Sequence, residues 1–167
     1  MGNPIKTKSA DEALQSLMRL CARGERSSGD ALRLMRRWGV SDTDAKRVLA
    51  RLEKERFIDD RRYTEFYVRE KMNLSGWGAY KIKMSLRQKG ISQQIIAEVA
   101  EPMFGETDMR GRLMELLSRK VRTIKAKNDY DARTKLIRFG ASRGFDMELV
   151  IDCAMQIVKC SEEEIYL

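Results

Sequence analysis

The chain has 167 residues and a formal net charge of +8, and it contains no histidine. Without histidine it lacks the commonest general base and metal ligand, so we predict a protein that is not an enzyme and holds no metal or cofactor. No apolar run approaches the roughly 20 residues that cross a bilayer, and no secretory signal follows the amino terminus. We therefore expect a cytoplasmic protein without membrane contact, whose positive charge points to a polyanionic partner.

The three cysteines, Cys21, Cys153 and Cys160, follow no zinc-binding spacing. Cys153 and Cys160 lie seven residues apart, which places both on one face of a helix. We interpret all three as small apolar side chains in a reducing compartment.

The first predicted helix is "ADEALQSLMRLCAR", which begins after Ser9. Ser9 and Glu12 have the spacing of a capping box, in which two side chains satisfy the free N–H groups of the first turn. Apolar residues recur along one face of this helix, as expected for an element that packs on a core. They are Leu14, Leu17, Leu20 and Cys21.

A tripeptide of glycine, a bulky apolar residue and a helix-capping residue occurs three times, beginning at Gly39, Gly90 and Gly144. A glycine in the left-handed conformation ends a helix, and the third residue of the tripeptide caps the next helix. In each of the three following helices the apolar residues have the same spacing, which indicates an internal repeat. The aligned positions are Ala45, Ile96 and Val150; Val48, Val99 and Cys153; Leu49, Ala100 and Ala154; Leu52, Met103 and Ile157.

Two further helices precede the second and third glycines in the chain. "RRYTEFYVREKMN" is predicted to be capped by Asp59 or Asp60, and "DMRGRLMELLSRK" by Thr107. The inward-facing residues of the two helices are predicted to be Tyr63, Phe66 and Tyr67 in the first, and Leu113, Leu116 and Leu117 in the second.

The predicted fold is all-α, with about nine helices in three tandem three-helix modules that form an elongated, curved array. The modules are expected at 9–58, 59–105 and 106–160. Flexible termini are expected at 1–8 and 161–167.

The segment "GWGAYKIKMSLRQKGI", residues 76–91, allows two interpretations. As a phosphate-binding loop it lacks the complete glycine pattern and a preceding strand. As a turn into a helix it places Ala79, Ile82 and Leu86 on one face, so we favour the helix. Trp77 either packs in the core or offers a stacking surface for a base.

Lysines and arginines are concentrated in two runs, 69–89 and 116–128, of which only the first contains an acid, Glu70. Any single cation is explained equally well by a solvated surface, but the two runs together favour phosphate binding. The candidate contact residues are Arg69, Lys71, Lys81, Lys83, Arg87, Lys89, Arg119, Lys120, Arg122, Lys125 and Lys127.

The segment "RLEKERFIDDRRYTEFYVREKM" followed by "GWGAYKIKMSLRQKGIS" resembles the signature of the RecX family. The resemblance is carried by an aromatic–aliphatic–Asp-Asp–Arg–aromatic string, a Gly–aromatic–Gly triplet, a basic–aliphatic pair and a closing Lys-Gly-Ile. It is strong over 45–103, recognisable over 13–44 and weak after 106. Arg56, Trp77 and Ser75 depart from the pattern, which more often has glycine, tyrosine and a basic residue there. The matching residues are Phe57, Ile58, Asp59, Asp60, Arg61 or Arg62, Tyr63, Gly76, Trp77, Gly78, Lys81, Ile82, Leu86, Lys89, Gly90 and Ile91.

The resemblance implies a regulator of the RecA recombinase. Members of the family bind the RecA–single-stranded-DNA filament in its helical groove and restrain ATP hydrolysis, strand exchange and coprotease activity in DNA repair and the SOS response. The expected partners are the RecA filament and single-stranded DNA, with double-stranded DNA as a further candidate. The protein itself is expected to be a monomer. No contact residue follows from the resemblance, so the candidate residues rest on charge and helix face alone.

One alternative is an autonomous helix-turn-helix regulator that binds a particular duplex sequence. The helices after the glycines begin with acids and core residues, whereas a recognition helix needs polar base-contacting residues there. A helical adaptor without nucleic-acid contact is a third possibility, and it predicts an affinity that hardly changes with salt.

Overall fold

The computed structural model describes residues 6–159, and over these residues the chain forms nine helices and no β-strand. The predicted all-α fold is therefore confirmed, whereas Cys160 lies outside the described residues. The helices are α1 (Ala10–Arg23), α2 (Ser28–Arg37), α3 (Asp42–Lys54), α4 (Asp60–Asn73), α5 (Ala79–Gln88), α6 (93–105), α7 (Met109–Val121), α8 (Asp129–Ser142) and α9 (Met147–Ile157).

The three repeated glycines adopt the left-handed conformation that the sequence predicts. Gly39, Gly90 and Gly144 have φ angles of 74°, 81° and 85°. At each turn the residue after the glycine donates its N–H to the carbonyl five residues earlier, for example Val40 to Met35, and the glycine donates to the carbonyl three residues earlier. This is the Schellman arrangement, which satisfies the last carbonyls of a helix. The predicted caps of the next helices are also confirmed: Ser41, Ser92 and Asp146 accept from the N–H groups of Asp44, Ile95 and Leu149.

The described residues divide into two compact units, with α4, α5 and α6 contributing to both. Unit 1 comprises residues 6–68 and 85–101, and unit 2 comprises residues 69–84 and 102–159. A buried apolar cluster of unit 1 joins α1, α2 and α3, and a cluster of unit 2 joins α7, α8 and α9. Fully buried members include Leu17, Met35 and Leu52 in unit 1, and Leu113, Leu117, Leu136 and Val150 in unit 2.

In unit 1 the start of α2 touches the glycine turn that follows α5. The Ser27 hydroxyl donates to the Lys89 carbonyl over 3.0 Å, and the Arg33 guanidinium donates to the Gln88 carbonyl over 2.7 Å. A Cβ on Gly29 would lie only 2.2 Å from the Lys89 oxygen. Only glycine allows this approach, because backbone atoms cannot move aside as a flexible side chain can.

In unit 2 the start of α5 touches the glycine turn that follows α8 in a similar way. The Gly78 N–H donates to the Arg143 carbonyl over 2.7 Å, and the Tyr80 N–H donates to the Gly144 carbonyl over 3.0 Å. A Cβ on Gly78 would lie 2.5 Å from the Gly144 oxygen. Gly78 therefore serves a backbone-to-backbone contact, which explains the second glycine of the Gly–Trp–Gly triplet.

The two carboxylates of the Asp-Asp pair have different structural roles. Asp59 caps α4 by accepting from the N–H groups of Arg61 and Arg62 over 3.0 and 3.1 Å. Asp60 instead accepts from the Ser28 N–H over 2.8 Å, at the start of α2. Of the two predicted caps, Asp59 is therefore the residue that caps α4.

Two predictions about side chains are wrong. Phe66 is 53% exposed, whereas Tyr63, Val68 and Met72 are buried, so the inner face of α4 does not include Phe66. The misassignment arose because an aromatic run of residues 63, 66 and 67 fits a helical face as well as the observed one does. Thr107 does not cap α7: its hydroxyl donates to the Met103 carbonyl, and it is Asp108 that accepts from the Gly111 N–H.

The sixth helix contains a π-helical segment, Ile96–Ala100, between Gln93–Ile95 and Glu101–Gly105. A π turn holds one more residue than an α turn, so it shifts the buried face along the chain. Ile96, Ala100 and Phe104 are buried at intervals of four, and Met103, the predicted fourth position, is half-buried. None of the twelve predicted repeat positions is exposed.

Candidate nucleic-acid interface

Most of the predicted contact residues belong to unit 2. Nine of the eleven predicted contact residues lie in unit 2, and the other two, Arg87 and Lys89, lie in unit 1. Arg119 and Lys120 of α7 line one cleft, and Lys71 and Lys81 lie beside it against the ring of Trp77, whereas the other predicted cations lie elsewhere on the surface. Position at the cleft therefore distinguishes some predicted contact residues from others, which charge alone could not do.

A cleft of about 620 Å³ opens in unit 2 between α7, α8 and the segment that joins α4 to α5. We call it the cationic cleft, because four of its lining residues are cations and one is an acid. Its lining comprises Met72, Asn73, Leu74, Ser75, Gly76, Trp77, Arg112, Glu115, Leu116, Arg119, Lys120, Phe139, Arg143 and Phe145.

Trp77 lies at the edge of the cationic cleft with two lysines against its ring. The Nζ atoms of Lys71 and Lys81 lie 5.0 and 4.6 Å from the ring centroid, within the range of cation–π attraction. The indole is half-buried, so it is neither a core residue nor a bare stacking surface. It holds two ammonium groups beside the cleft, and the Lys81 ammonium also donates to the Ser142 carbonyl over 3.2 Å.

Phe139, a second aromatic residue of the cationic cleft, also lies against two cations. The Lys120 ammonium lies 4.8 Å from its ring centroid, and the Arg143 guanidinium carbon lies 5.0 Å away. Lys120 is one of the predicted contact residues, whereas Phe139 and Arg143 are not. The sequence held one signal for Arg143, since it occupies the position before a repeated glycine, as Lys89 does.

Two arginines of the cleft are fixed by backbone carbonyls. Arg143 donates to the Ser75 carbonyl over 3.1 Å, and Arg112 donates to the Met72 carbonyl over 3.4 Å. Both therefore hold the 72–77 segment in place in addition to contributing charge. Arg112 was not predicted, because it belongs to neither cationic run.

The charge of the cationic cleft is only weakly neutralised. Its single acid, Glu115, pairs with Arg119 over 3.3 Å, and both side chains are about 70% exposed. Such exposed pairs contribute little, because water and salt screen them. Within the described part of the chain, neither Lys81 nor Lys120 forms an ion pair with a carboxylate. These ammonium groups can therefore bind a phosphate without first leaving a carboxylate.

Three predicted residues, Arg122, Lys125 and Lys127, follow α7 and are exposed, but they do not line the cleft. Their connection is tied to α8, because the Lys127 N–H donates to Asp131 over 3.1 Å. The neighbouring ammonium of Lys135 pairs with Asp131 over 3.0 Å. These two contacts hold the pKa of Asp131 below its ordinary value of 3.8, the Lys135 hydrogen bond having the larger effect.

The remaining predicted residues are dispersed. In unit 1, the Lys89 ammonium lies 5.7 Å from the Tyr67 ring centroid and 4.0 Å from Asp30, and Arg87 makes a 3.4 Å contact with Gln93. In unit 2, Arg69 is exposed and Lys83 is half-buried, and neither lines the cationic cleft.

Within residues 6–159 there is no group of three or more cysteine, aspartate or glutamate residues placed to hold a metal ion. Cys153 is buried and Cys21 is half-buried, and burial raises the pKa of both thiols. In the same part of the chain, no helix combines the length and the apolar character that a membrane span requires.

These features define a class of protein: an all-α chain of repeated helices that end in glycine turns, with a cationic and aromatic cleft. Two family models match it, the second three-helix domain of RecX over residues 59–99 and the third over residues 108–153. The regulatory protein RecX of Pseudomonas entomophila is 31% identical over 136 residues, covering 81% of this chain and 85% of its own. The chain belongs to the RecX family of regulatory proteins, which confirms the resemblance seen in its sequence.

Other comparisons agree with this assignment. The regulatory protein RecX of Chlorobium phaeobacteroides is 29% identical over 148 residues, covering 89% of this chain and 95% of its own. Among solved structures, RecX from Lactobacillus salivarius superposes with a TM-score of 0.74 at 18% identity, over 89% of this chain and 96% of the other. A second RecX crystal structure gives 0.76 at 19% identity, over 90% and 72%. At these identities the two structures support the fold.

Proposed function

We propose that this protein is an inhibitor of RecA that binds the RecA–single-stranded-DNA filament in its groove. In that position it restrains ATP hydrolysis, strand exchange and coprotease activity. It acts by binding, as a cytoplasmic monomer of three helical modules at 9–58, 59–105 and 106–160, and it performs no catalytic step. Membership of a family of regulatory proteins supports the regulatory part of this proposal.

The observation that carries the proposed contact is the cationic cleft. Its lining cations are Arg112, Arg119 and Lys120 of α7 and Arg143 after α8. Two of its aromatic rings each lie against two cations. Flexible ammonium groups bind phosphates without reading sequence, which suits a partner whose DNA has no fixed sequence. We assign the contact to Lys71, Lys81, Arg119 and Lys120, and the outlying cations add long-range attraction.

The helix-turn-helix alternative finds less support. In α3 the first turn carries Asp42 and Asp44, and the Asp44 carboxylate is already paired with Arg47. Carboxylates at the start of a recognition helix would face the phosphates of the duplex and repel them. A gel shift on plain duplex without RecA tests this alternative, since an autonomous regulator would bind one sequence unaided.

The direct test is RecA-catalysed ATP hydrolysis on single-stranded DNA, titrated with this protein at two salt concentrations. Hydrolysis should fall as the protein is added, and more protein should be needed at the higher salt, because phosphate contacts weaken as salt rises. Hydrolysis that does not change at either salt concentration would refute the proposal.

A further inference from the structure

Unit 1 contains a second cationic pocket, which lies outside both charge runs of the sequence. It has a volume of about 230 Å³ and lies between α1 and the residue that ends α2. Three of its six lining residues are cations, and none is an acid. The lining consists of Lys8, Ser16, Arg19, Leu20, Arg23 and Trp38.

Trp38 in this pocket resembles Trp77 in the cationic cleft in having a lysine over its ring, although Trp77 has two and Trp38 has one. Trp38 also packs against the buried cluster of unit 1. The Lys8 ammonium lies 4.3 Å from the Trp38 ring centroid, and the indole is half-buried, with part of its surface open. Both tryptophans immediately precede a glycine, and they are the two tryptophans of the chain. A partly open indole beside unneutralised cations can stack a base while the cations bind the adjoining phosphate.

The cations of this pocket converge on a hydroxyl group. The Lys8 ammonium donates to the Ser16 hydroxyl over 2.7 Å, and the Arg19 guanidinium donates to the same oxygen over 3.2 Å. Ser16 is only 6% exposed and lines the pocket, so its oxygen holds both donors against the pocket lining. Among residues 6–159, Lys8, Arg19 and Arg23 form no ion pair with a carboxylate, although Asp11 and Glu12 line the neighbouring pocket.

A backbone hydrogen bond fixes the position of Lys8 beside Trp38. The Lys8 N–H donates to the Trp38 carbonyl over 2.9 Å, which holds the segment before α1 against the end of α2. The Lys8 side chain is therefore fixed at both ends, by its own N–H and by Ser16. The site is preformed, because its donor side chains are already held in place and do not have to become ordered when a ligand binds.

We propose that the Trp38 pocket binds a nucleotide of single-stranded nucleic acid, with the base on the indole and the phosphate at Lys8, Arg19 and Arg23. This inference rests on the proposed function, and it adds a second nucleic-acid site to the one in the cationic cleft. Stacking on an aromatic ring and charge attraction to phosphate are possible with any base. The site should therefore bind single-stranded nucleic acid without preference for a sequence.

Because the chain has two tryptophans, each site can be followed by its own fluorescence. Trp77→Phe leaves Trp38 as the only reporter, and Trp38→Phe leaves Trp77. Adding a twelve-residue oligothymidine should quench the emission of Trp38 in the Trp77→Phe protein, with saturation. The proposal would be overturned if the oligonucleotide did not quench Trp38 in the Trp77→Phe protein but did quench Trp77 in the Trp38→Phe protein.

The cations are tested in the Trp77→Phe background. Arg19→Ala with Arg23→Ala should weaken quenching about tenfold and reduce the slope of log affinity against log salt by about 1.4, roughly 0.7 for each lost phosphate contact. The matched control is Lys46→Ala with Arg47→Ala, two exposed cations of α3 outside this pocket, which should change neither quantity beyond general charge screening. Equal effects of the two pairs would contradict a defined site.

Two ligand controls separate the possible sources of negative charge. Thymidine monophosphate should bind far more weakly than the oligonucleotide, and poly-glutamate should not quench Trp38. Quenching by poly-glutamate at the same concentration would mean that the pocket faces an acidic protein, and equal binding of the monophosphate would exclude a strand site.

The failure of this inference is distinguishable from the failure of the proposed function. The RecA ATPase assay is repeated with Arg19→Ala and Arg23→Ala, and circular dichroism checks that the helices are retained. If Trp38 emission does not respond but inhibition of RecA persists, the pocket is not a nucleotide site and the regulator assignment stands. If the unaltered protein does not inhibit RecA, the regulator assignment fails whatever the fluorescence shows.

Discussion

At the scale of single residues, the left-handed backbone conformation explains the three repeated glycines and singles out one arginine in a position that favours glycine. Arg56 has φ 61°, which is unique among the non-glycine residues that the structure describes. It follows the end of α3, where the Phe57 N–H donates to the Leu52 carbonyl five residues earlier. This is a fourth turn of the same kind as those at Gly39, Gly90 and Gly144. The resemblance to the RecX pattern had already marked Arg56 as a departure, because that pattern more often has glycine there.

We predict that Arg56→Gly stabilises the protein by about 1 kcal/mol, because the left-handed conformation costs a side chain roughly that much. Arg56→Ala is the matched control, since it removes the guanidinium but keeps the Cβ, and it should bring no such gain. Urea unfolding of the two variants measures the difference. A glycine variant no more stable than the alanine variant would show that the turn is unstrained.

A second residue prediction concerns the contact between α5 and the turn after α8. Gly78→Ala should destabilise the protein by about 2–3 kcal/mol, because its Cβ would meet the Gly144 carbonyl at 2.5 Å and the Arg143 hydrogen bond would be lost. Gly105→Ala is the control, since nothing lies within 4 Å of the added atom. Thermal unfolding measures both variants, and similar effects would contradict the close backbone approach.

At the scale of helices, the features that could be predicted from the sequence are those set by neighbouring residues, above all the helix ends. Helix ends are decided by a glycine and a capping side chain within a few residues, so three turns and their following caps were correctly predicted. Thr107 and Asp108 are adjacent and both can cap, so local rules could not choose between them. Phe66 was misplaced because helical spacing defines a face but not which neighbour covers it. The π segment of α6 was not predicted, since no residue type specifies it.

The candidate site was less predictable than the helices. Arg112, Phe139 and Arg143 belong to separate helices or turns, and only tertiary packing brings them to the cationic cleft. Charge runs identified Lys120 and Arg119 but could not exclude Arg122 or the 125–127 residues, which do not line it. The contact residues of a surface are set by packing partners far away in the chain.

The basic connection before α8 should depend on pH, because it is held by a carboxylate. The pKa of Asp131 is lowered in the folded protein by Lys135 and by the Lys127 N–H. A lowered folded pKa means that the contact is complete above pH 3.8 and is lost as the pH falls through the folded value. We expect the protection of the Lys127 amide, relative to its intrinsic exchange rate at each pH, to fall in acid, and Asp131→Asn to abolish this pH dependence. An amide whose protection is the same in both proteins at every pH would exclude the contact.

At the scale of the whole molecule, the proposed function joins a fold of repeated helices to a polyanionic partner. The net charge is +8, and four of the cations lie against two aromatic rings of the cationic cleft. We propose that the remaining cations add long-range attraction to a polyanion. The central claim is that the ammonium groups of this cleft meet phosphates of the RecA–DNA filament. Salt dependence tests this directly, since each phosphate contact releases counterions on binding.

The decisive measurement is the affinity for RecA filaments on single-stranded DNA, determined over a range of salt concentrations. Lys71→Ala, Lys81→Ala and Lys120→Ala together should reduce the slope of log affinity against log salt by about 2, roughly 0.7 for each lost contact. The control carries Lys46→Ala, Arg47→Ala and Lys54→Ala, three exposed cations of α3 that cause the same loss of charge. Its slope should remain close to that of the unaltered protein. If both triple variants lower the slope equally, or neither does, the cationic cleft is not the surface that binds the filament.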